Sequence, residues 1–363
     1  PSQSSAASDV YKRQPITYML WRFVNFSRSI SSFFQSWNVF GLMFNTISVF
    51  FAVVFTSVLV GLLISIVTVR FEFKGSKILF TLCVLPLVIP SYIGALTYIS
   101  AFSPKGLFVQ IFNRYGIEEI AGIEGFLGSW LVLTLFTYPY VQLICSSALR
   151  NLDSTVEDAA RSLGVNQFKV YTSVVIPRLK KPIIYSSLLV GLYVISDFGA
   201  VSLMRYSTVT KAIYAYYELS ILSDPVIFYS SLLIVLALLI SFIQRGSATS
   251  RSAKVSGTPR IPKKVRLERN GKVLVYSFLG GIIFLGLIIP VAVLGFWLFR
   301  GLYYGTDLTS SIPGILGSFS ASIVTSILAI VISMPIVILI SQYKSRFGDC
   351  LLYTSPSPRD LAR

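Results

Sequence analysis

A polar stretch between two long apolar segments carries a pair of acidic residues, a pair of alanines and a glycine: Glu157, Asp158, Ala159, Ala160 and Gly164. Carboxylates favour the N-terminus of a helix, and small residues let another backbone approach closely. Glycine permits a turn that other residues resist. The pattern therefore predicts a short helix over 158–170 that inserts into a groove on a partner protein, rather than a site of covalent chemistry.

Apolar residues extend this pattern towards its end. Phe168 and Tyr171 lie about one turn apart and are predicted to be apolar anchors, while Ile176 and Pro177 end the stretch thirteen positions after the glycine. An amphipathic connector that rests on the membrane surface is the alternative. For the acid-Ala-Ala triplet alone this connector is the favoured interpretation, and the positions of the glycine and the proline favour docking only through their resemblance to a known family.

The composition indicates which kind of structure surrounds and positions this polar stretch. Hydrophobic residues make up 54% of the chain and charged residues 13%, and apolar runs of about twenty residues recur along it. The runs are continuous rather than alternating, which favours helices over a β-barrel. We predict an all-α, polytopic transmembrane helical bundle of about seven spans. These are 39–69, 78–102, 126–149, 182–204, 226–243, 273–299 and 315–342.

The net charge of +16 resides mainly in short loops between the apolar runs. If the stretch at 150–181 is cytoplasmic, alternation places the loops 70–77, 244–272 and 344–348 on the same side, and all three are basic, as the positive-inside rule expects. This distribution argues against a nucleic-acid partner. The chain contains no histidine, so histidine metal ligands and histidine bases are excluded, and we predict no catalytic or metal site.

The two ends resemble a translated transposon-type sequencing adapter. One DNA sequence encodes residues 9–14, and its reverse complement, read from the second base, encodes residues 350–355. We therefore expect residues 1–14 and 350–363 to be non-native and the sequence between them to be a fragment.

The stretch at 150–181 resembles the cytoplasmic coupling loop of binding-protein-dependent, ATP-binding-cassette (ABC) importer permeases. Asp158 stands where that family has Glu, Val174 where it has Ile, and Ile176 where it has Leu, while Glu157 keeps a carboxylate beside the usual position. Further stretches resemble the ferric-iron importer permeases, which are fused chains of two permease cores: 85–92, 138–141, 148–153, 197–200 and 208–214. We call residues 150–181 the coupling loop.

The resemblance implies a transport subunit of a bacterial inner membrane rather than an enzyme. The sequence has no GxxxxGK[ST] phosphate-binding loop, so ATP would be bound by a partner, an ABC ATPase dimer, and no cofactor by this chain. A periplasmic solute-binding protein and the lipid bilayer are the other implied partners. Thiamine or aminophosphonate permeases are alternatives within the family. An ion-coupled secondary transporter is the alternative from another class.

The resemblance also implies a domain organisation. We predict a first permease core over 15–243, a basic cytoplasmic linker over 244–272 and the start of a second core over 273–349. A weak repeat supports this division, because 69–75 and 342–348 both pair a span end with a basic-aromatic patch and a glycine. The linker is predicted to be a solvated tether, with binding of anionic lipid as the alternative.

Four residues inside the predicted spans are candidates for the translocation pathway: Pro86, Pro90, Pro139 and Asp197. An acid at membrane depth is costly and often lines a cavity. Asp197 is therefore a pathway or gating residue, an interfacial acid at the outer end of the helix, or an acid bonded to a neighbouring helix. The prolines mark either broken helices near the pathway or plain kinks.

Overall fold

A computed structural model describes residues 38–103, 106–113, 116, 122–152, 160, 162–164, 166–219, 224–248, 265–305 and 309–342. Their helices are α1 (Val39–Arg70), α2 (Ser76–Val84), α3 (Ser91–Phe102), α4 (Leu107–Asn113), α5 (Gly125–Arg150), α6 (Gln167–Val170), α7 (Ile176–Arg178), α8 (Lys180–Ser196), α9 (Gly199–Leu203), α10 (Val209–Leu219), α11 (Asp224–Ala248), α12 (Arg269–Ile283), α13 (Ile289–Tyr303) and α14 (Ile312–Gln342). Single turns of other helix types occupy Leu85–Val88, Tyr171–Val175, Phe284–Ile288 and Thr309–Ser311. The predicted adapter-derived ends lie outside the described residues.

The prediction of a helical membrane bundle is confirmed. Among the residues that the structure describes, four helical runs are long and apolar enough to cross a membrane: Val39–Arg70, Gly125–Arg150, Arg269–Tyr303 and Thr309–Pro335. Counting two bent helix pairs as one span each gives six, and Pro225–Ile240 is a shorter apolar helix. The described residues also contain one pair of two-residue parallel strands, β1 (Phe71–Glu72) and β2 (Val265–Arg266).

Two of the predicted spans are broken rather than continuous. The span at 78–102 bends by 94° between its halves, because Pro90 disfavours a helical conformation at Ile89, whose backbone is extended. The span at 182–204 ends at Ser196, and the chain is extended at Asp197 before α9 begins. Both breaks involve residues that were candidates for the pathway.

The chain divides into two compact units, one formed by residues 1–249 with 254–294 and the other by 250–253 with 295–363. In the first unit α12, which belongs to the predicted second core, packs against α1, α2 and α5. Val275 and Leu279 are buried there with Ile64, Cys83 and Tyr138. The division into two permease cores stays a prediction.

Helices α1 and α5 form the closest pair in the first unit. Ser57, Gly61 and Ser65 recur every four residues and place a strip of small side chains along α1. A Cβ atom at Gly61 would lie 2.8 Å from the carbonyl oxygen of Tyr138 and 2.9 Å from the backbone nitrogen of Gln142. Small residues at this spacing let membrane helices approach to backbone contact.

Hydrogen bonds run along the same interface. The hydroxyl groups of Ser57 and Thr137 lie 2.9 Å apart, and Ser65 donates to the carbonyl of Gln142 at 3.0 Å. Further out, Thr56 and Thr134 pair at 2.9 Å. In lipid such bonds have no competition from water, so they fix the register of the two helices.

Two buried tyrosines compensate for prolines in neighbouring helices. Pro86 has no N–H, so in its tight turn it cannot donate to the carbonyl of Cys83, three residues earlier. The hydroxyl of Tyr138 donates to that carbonyl instead, at 2.7 Å. Phe284–Ile288 is a π-helical turn, in which each carbonyl accepts from the N–H five residues later. Pro290 has no N–H to donate to the carbonyl of Leu285, and the hydroxyl of Tyr98 donates to that carbonyl instead, at 2.8 Å.

The α1–α5 contact generates a stability prediction. Gly61→Ala places a methyl group against backbone atoms of α5 and should lower the free energy of unfolding in detergent by about 1–3 kcal/mol, the usual cost of overpacking. Gly281→Ala on α12 is the matched control, since no described atom lies within 4 Å of its Cβ position. Equal stability of the two variants would contradict the close approach at Gly61.

Candidate functional site

The end of the coupling loop is anchored to the ends of α1 and α5. Val175 and Leu179 are fully buried and pack with Val69 of α1 and Leu149 of α5. This cluster places the loops at 70–77 and 150–181 at the same end of the bundle, as charge alternation predicts. Because α1 and α5 pack closely and are joined by hydrogen bonds, the buried end of the loop rests on a rigid pair of helices.

The glycine of the coupling loop lies at a turn. Gly164 has a φ of +77°, a left-handed conformation that costs other residues energy. No described atom lies within 4 Å of its Cβ position, and the neighbouring Leu163 is 83% exposed. The turn divides the helix predicted over 158–170, and it presents Leu163 and Gly164 away from the described part of the chain.

Three predicted members of this site, Glu157, Asp158 and Ala159, lie outside the described residues. Ala160 is helical and half-buried, and Phe168 lies on α6, although its side chain is not described. Tyr171 differs from the expectation of an outward anchor. It is half-buried, and its ring centroid lies 6.1 Å from that of Phe71, so it attaches the loop to its own chain.

The loop ends in a bend of 61° between Tyr171–Arg178 and α8. Ile176 is half-buried and Pro177 is exposed within the single turn of α7. The helix is interrupted at Leu179, two residues after Pro177, so proline does not itself end the segment. Leu179 is buried at the bend and connects the loop rigidly to α8.

A contact between the linker end and the end of α1 could not be predicted from the residue pattern. Phe71 pairs with Val265 and Glu72 with Arg266 in a parallel register. Nε of Arg266 lies 3.4 Å from a carboxylate oxygen of Glu72. The predicted tether is therefore in contact with the bundle at its end, while residues 249–264 lie outside the described part.

Asp197 joins the two helix breaks. One carboxylate oxygen accepts the hydroxyl of Ser91 at 2.5 Å, and the other accepts the backbone N–H of Ala200 at 2.9 Å. Ser91 is the first residue of α3 and Ala200 lies in the first turn of α9. The acid is therefore bonded to a neighbouring helix, which was one of the alternatives for it. The pathway role stays a prediction.

The candidate prolines differ in their structural effects. Pro86 is the second residue of the tight turn Leu85–Val88 that follows α2, and Pro90 lies at the 94° bend. Pro139 lies inside α5, which continues unbroken from Gly125 to Arg150. The structure thus places Pro90 and Asp197 at one junction, whereas Pro139 lies in a continuous helix and marks no break. Among the described residues, no three His, Cys, Asp or Glu side chains form a metal site.

Comparison with known families identifies the protein class. Residues 57–250 match the model of the binding-protein-dependent transport system inner membrane component, a range that covers more than half of the chain and includes the whole coupling loop. The chain belongs to this family. It is a membrane component of a transport system, in agreement with the resemblance found in the sequence.

Two relatives bear on the subtype of this membrane component. This chain is 27% identical over 339 residues to the Fe(3+)-transport system permease protein FbpB 2 of Haemophilus influenzae, and the match covers 91% of this chain and 63% of that protein. It is 28% identical over 155 residues to the sulfate transport system permease protein CysT of Escherichia coli, covering 43% of this chain and 54% of that protein. The chain therefore spans less than two thirds of each relative.

A solved structure supports the fold of the membrane component. The crystal structure of a bacterial ABC transporter involved in the import of the acidic polysaccharide alginate matches with a TM-score of 0.52. The match covers 69% of this chain and 94% of that chain at 15% identity. At this identity the likeness concerns the fold alone.

The junction at Asp197 generates a test of its role. Asp197→Asn keeps an oxygen for the N–H of Ala200 and gains an N–H that can donate to Ser91, so we expect normal stability and normal transport by the assembled system. Asp197→Ala removes both contacts and should cost about 1.5–3 kcal/mol of stability, the range for bonds to a charged group. Detergent unfolding and solute uptake measure the two effects.

Ser91→Ala removes only the bond between Ser91 and Asp197 and keeps the bond from the N–H of Ala200. We expect this variant to be destabilised less than Asp197→Ala. A transport-dead Asp197→Asn protein with unchanged stability would contradict the junction role. That result would show that the negative charge itself acts on the transported solute.

Proposed function

We propose that this protein is the permease subunit of an ATP-driven importer in a bacterial inner membrane. A separate ABC ATPase dimer binds ATP and contacts the coupling loop, and a periplasmic binding protein delivers the solute. The permease alternates between inward-facing and outward-facing states. The observation that carries this proposal is the exposed turn at Leu163 and Gly164 on a loop whose other end is buried.

This geometry suits the transmission of force. Leu163 is 83% exposed, and no described atom lies within 4 Å of the Cβ position of Gly164, so a partner can approach the turn. The anchor at Val175 and Leu179 connects the loop to α1, α5 and α8. A push on the turn would therefore move packed helices, which deform little, rather than a soft loop.

Ferric iron is the solute that we propose. The iron permease of Haemophilus influenzae aligns with 91% of this chain. The sulfate permease of Escherichia coli aligns with 43%. Sulfate, an oxyanion, is the second candidate because several sulfate permeases align at comparable identity.

Substitution of the exposed glycine tests the ATPase contact. Asparagine tolerates the left-handed conformation, so Gly164→Asn adds bulk with little backbone strain. Since no described atom of this chain opposes the new side chain, insertion and stability should stay unchanged. We expect ATPase stimulation by the loaded binding protein, and solute uptake, to fall roughly ten-fold or more, a loss typical of coupling between sites.

Gly305→Asn is the control for this substitution. Gly305 has a φ of +75° and an equally open Cβ position, and it lies in a loop that charge alternation places on the opposite side of the membrane. We expect normal ATPase stimulation and uptake in this variant. Normal coupling in Gly164→Asn as well would contradict a close contact between the ATPase and this turn.

The solute is tested by uptake in vesicles that contain the complete permease, its ATPase and the binding protein. We expect ATP-dependent accumulation of radiolabelled ferric iron and none of sulfate. Accumulation of sulfate alone would contradict the iron assignment while leaving the importer function in place.

A further inference from the structure

The short segment that follows α1 contacts the protein on two sides. We call residues 71–75 the β1 turn. On one side, Phe71 packs against Tyr171 of the coupling loop, with ring centroids 6.1 Å apart. On the other side, Phe71 and Glu72 pair with Val265 and Arg266 at the end of the basic linker. The β1 turn therefore lies between the coupling loop and the linker end and contacts both.

The strand pair alone is too short to hold the linker in place. Two residues a side give few backbone bonds, and isolated small sheets are unstable in water. The side chains of Arg266 and Glu72 are both exposed, so their ion pair adds little to the stability of the strand pair. A further interaction must hold the linker end against the turn.

The helix that follows the linker supplies that interaction. Phe73 is buried at 7% exposure and packs with Val275 and Leu279 of α12. The ring of Tyr276 meets Phe73 edge-on at 5.7 Å, and its hydroxyl donates to the carbonyl of Lys74 at 2.8 Å. The β1 turn and the start of α12 are therefore packed as one body.

We propose that the β1 turn is a relay that passes displacement of the coupling loop to α12, with the linker end, Val265 and Arg266, docked on it throughout the transport cycle. This inference rests on the proposed function of the coupling loop. A displacement of Tyr171 moves Phe71, and the strand pair and Phe73 carry that movement to α12. The basic linker then acts as a mechanical connection at its end and not only as a tether.

Disulfide trapping tests the docking in the complete protein. Paired residues on adjacent strands have Cα atoms about 4.8 Å apart, within the distance that a disulfide spans. Glu72→Cys with Arg266→Cys should therefore cross-link on oxidation and retain uptake when locked. Glu72→Cys with Arg205→Cys is the control, because Arg205 pairs with Glu124 next to the other end of α5, and it should not cross-link.

Failure of the disulfide to form in the Glu72→Cys, Arg266→Cys protein would overturn the docking. Formation of the bond with loss of uptake that reduction restores would overturn the claim that the pair stays closed through the cycle. The native Cys83 and Cys145 are fully buried, and each single-cysteine variant controls for their reaction.

Loss of the docking tests the relay. Replacing Val265 and Arg266 together with proline removes the backbone donors of this strand and should lower uptake roughly ten-fold while basal ATPase activity and membrane insertion persist. The same replacement at Lys263 and Lys264 removes more charge and should leave uptake unchanged. Equal uptake in the two double-proline variants would overturn the relay.

The outcome for the unaltered complex separates the two proposals. If that complex shows no ATP-driven uptake, the proposed function is wrong and the relay fails with it. If the complex transports but the disulfide or the double-proline result is contrary, the relay alone is wrong.

Discussion

The contact between α1 and α5 is the interaction on which the rest of the first unit depends. Lipid offers no hydrophobic driving force between two apolar helices, so close packing and hydrogen bonds must hold them. Gly61 provides the approach, and Ser57 and Ser65 provide the bonds. The ends of these two helices carry Val69 and Leu149, which bury the anchor of the coupling loop. A shift between the helices would therefore displace the loop.

The broken helices follow the same physical rule. Pro86 and Pro290 each remove a backbone donor, and a tyrosine from another helix compensates for each loss. Tyr138 and Tyr98 bond carbonyls beside Pro86 and Pro290, and Asp197 joins the starts of α3 and α9. These groups give hydrogen-bond partners to backbone atoms at the breaks. The breaks are thus fixed features of the fold rather than points of weakness.

The sequence predicts the membrane class and the coupling loop because both depend on local patterns. Apolar run length identifies the spans, and the spacing of acid, alanine and glycine locates the loop. The bonds of Tyr98, Tyr138 and Asp197 could not be predicted, because their partners lie 187, 55 and 106 positions away along the chain. The strand pairing of Val265 could not be predicted, because Val265 lies among basic residues without a strand pattern. Tyr171 was predicted to be an anchor for a partner because its contact with Phe71 is not visible in the sequence.

The central claim is that a separate ATPase contacts the exposed turn of the coupling loop. A photo-crosslinking amino acid in place of Leu163, which is 83% exposed, tests this contact directly in the assembled complex. The account predicts a covalent adduct with the ATPase subunit, and a yield that changes when ATP is bound. The same probe at Tyr303, which is 85% exposed and lies beside the loop predicted on the opposite side, should give no such adduct. Equal yields at the two positions, or no adduct at 163, would contradict the account.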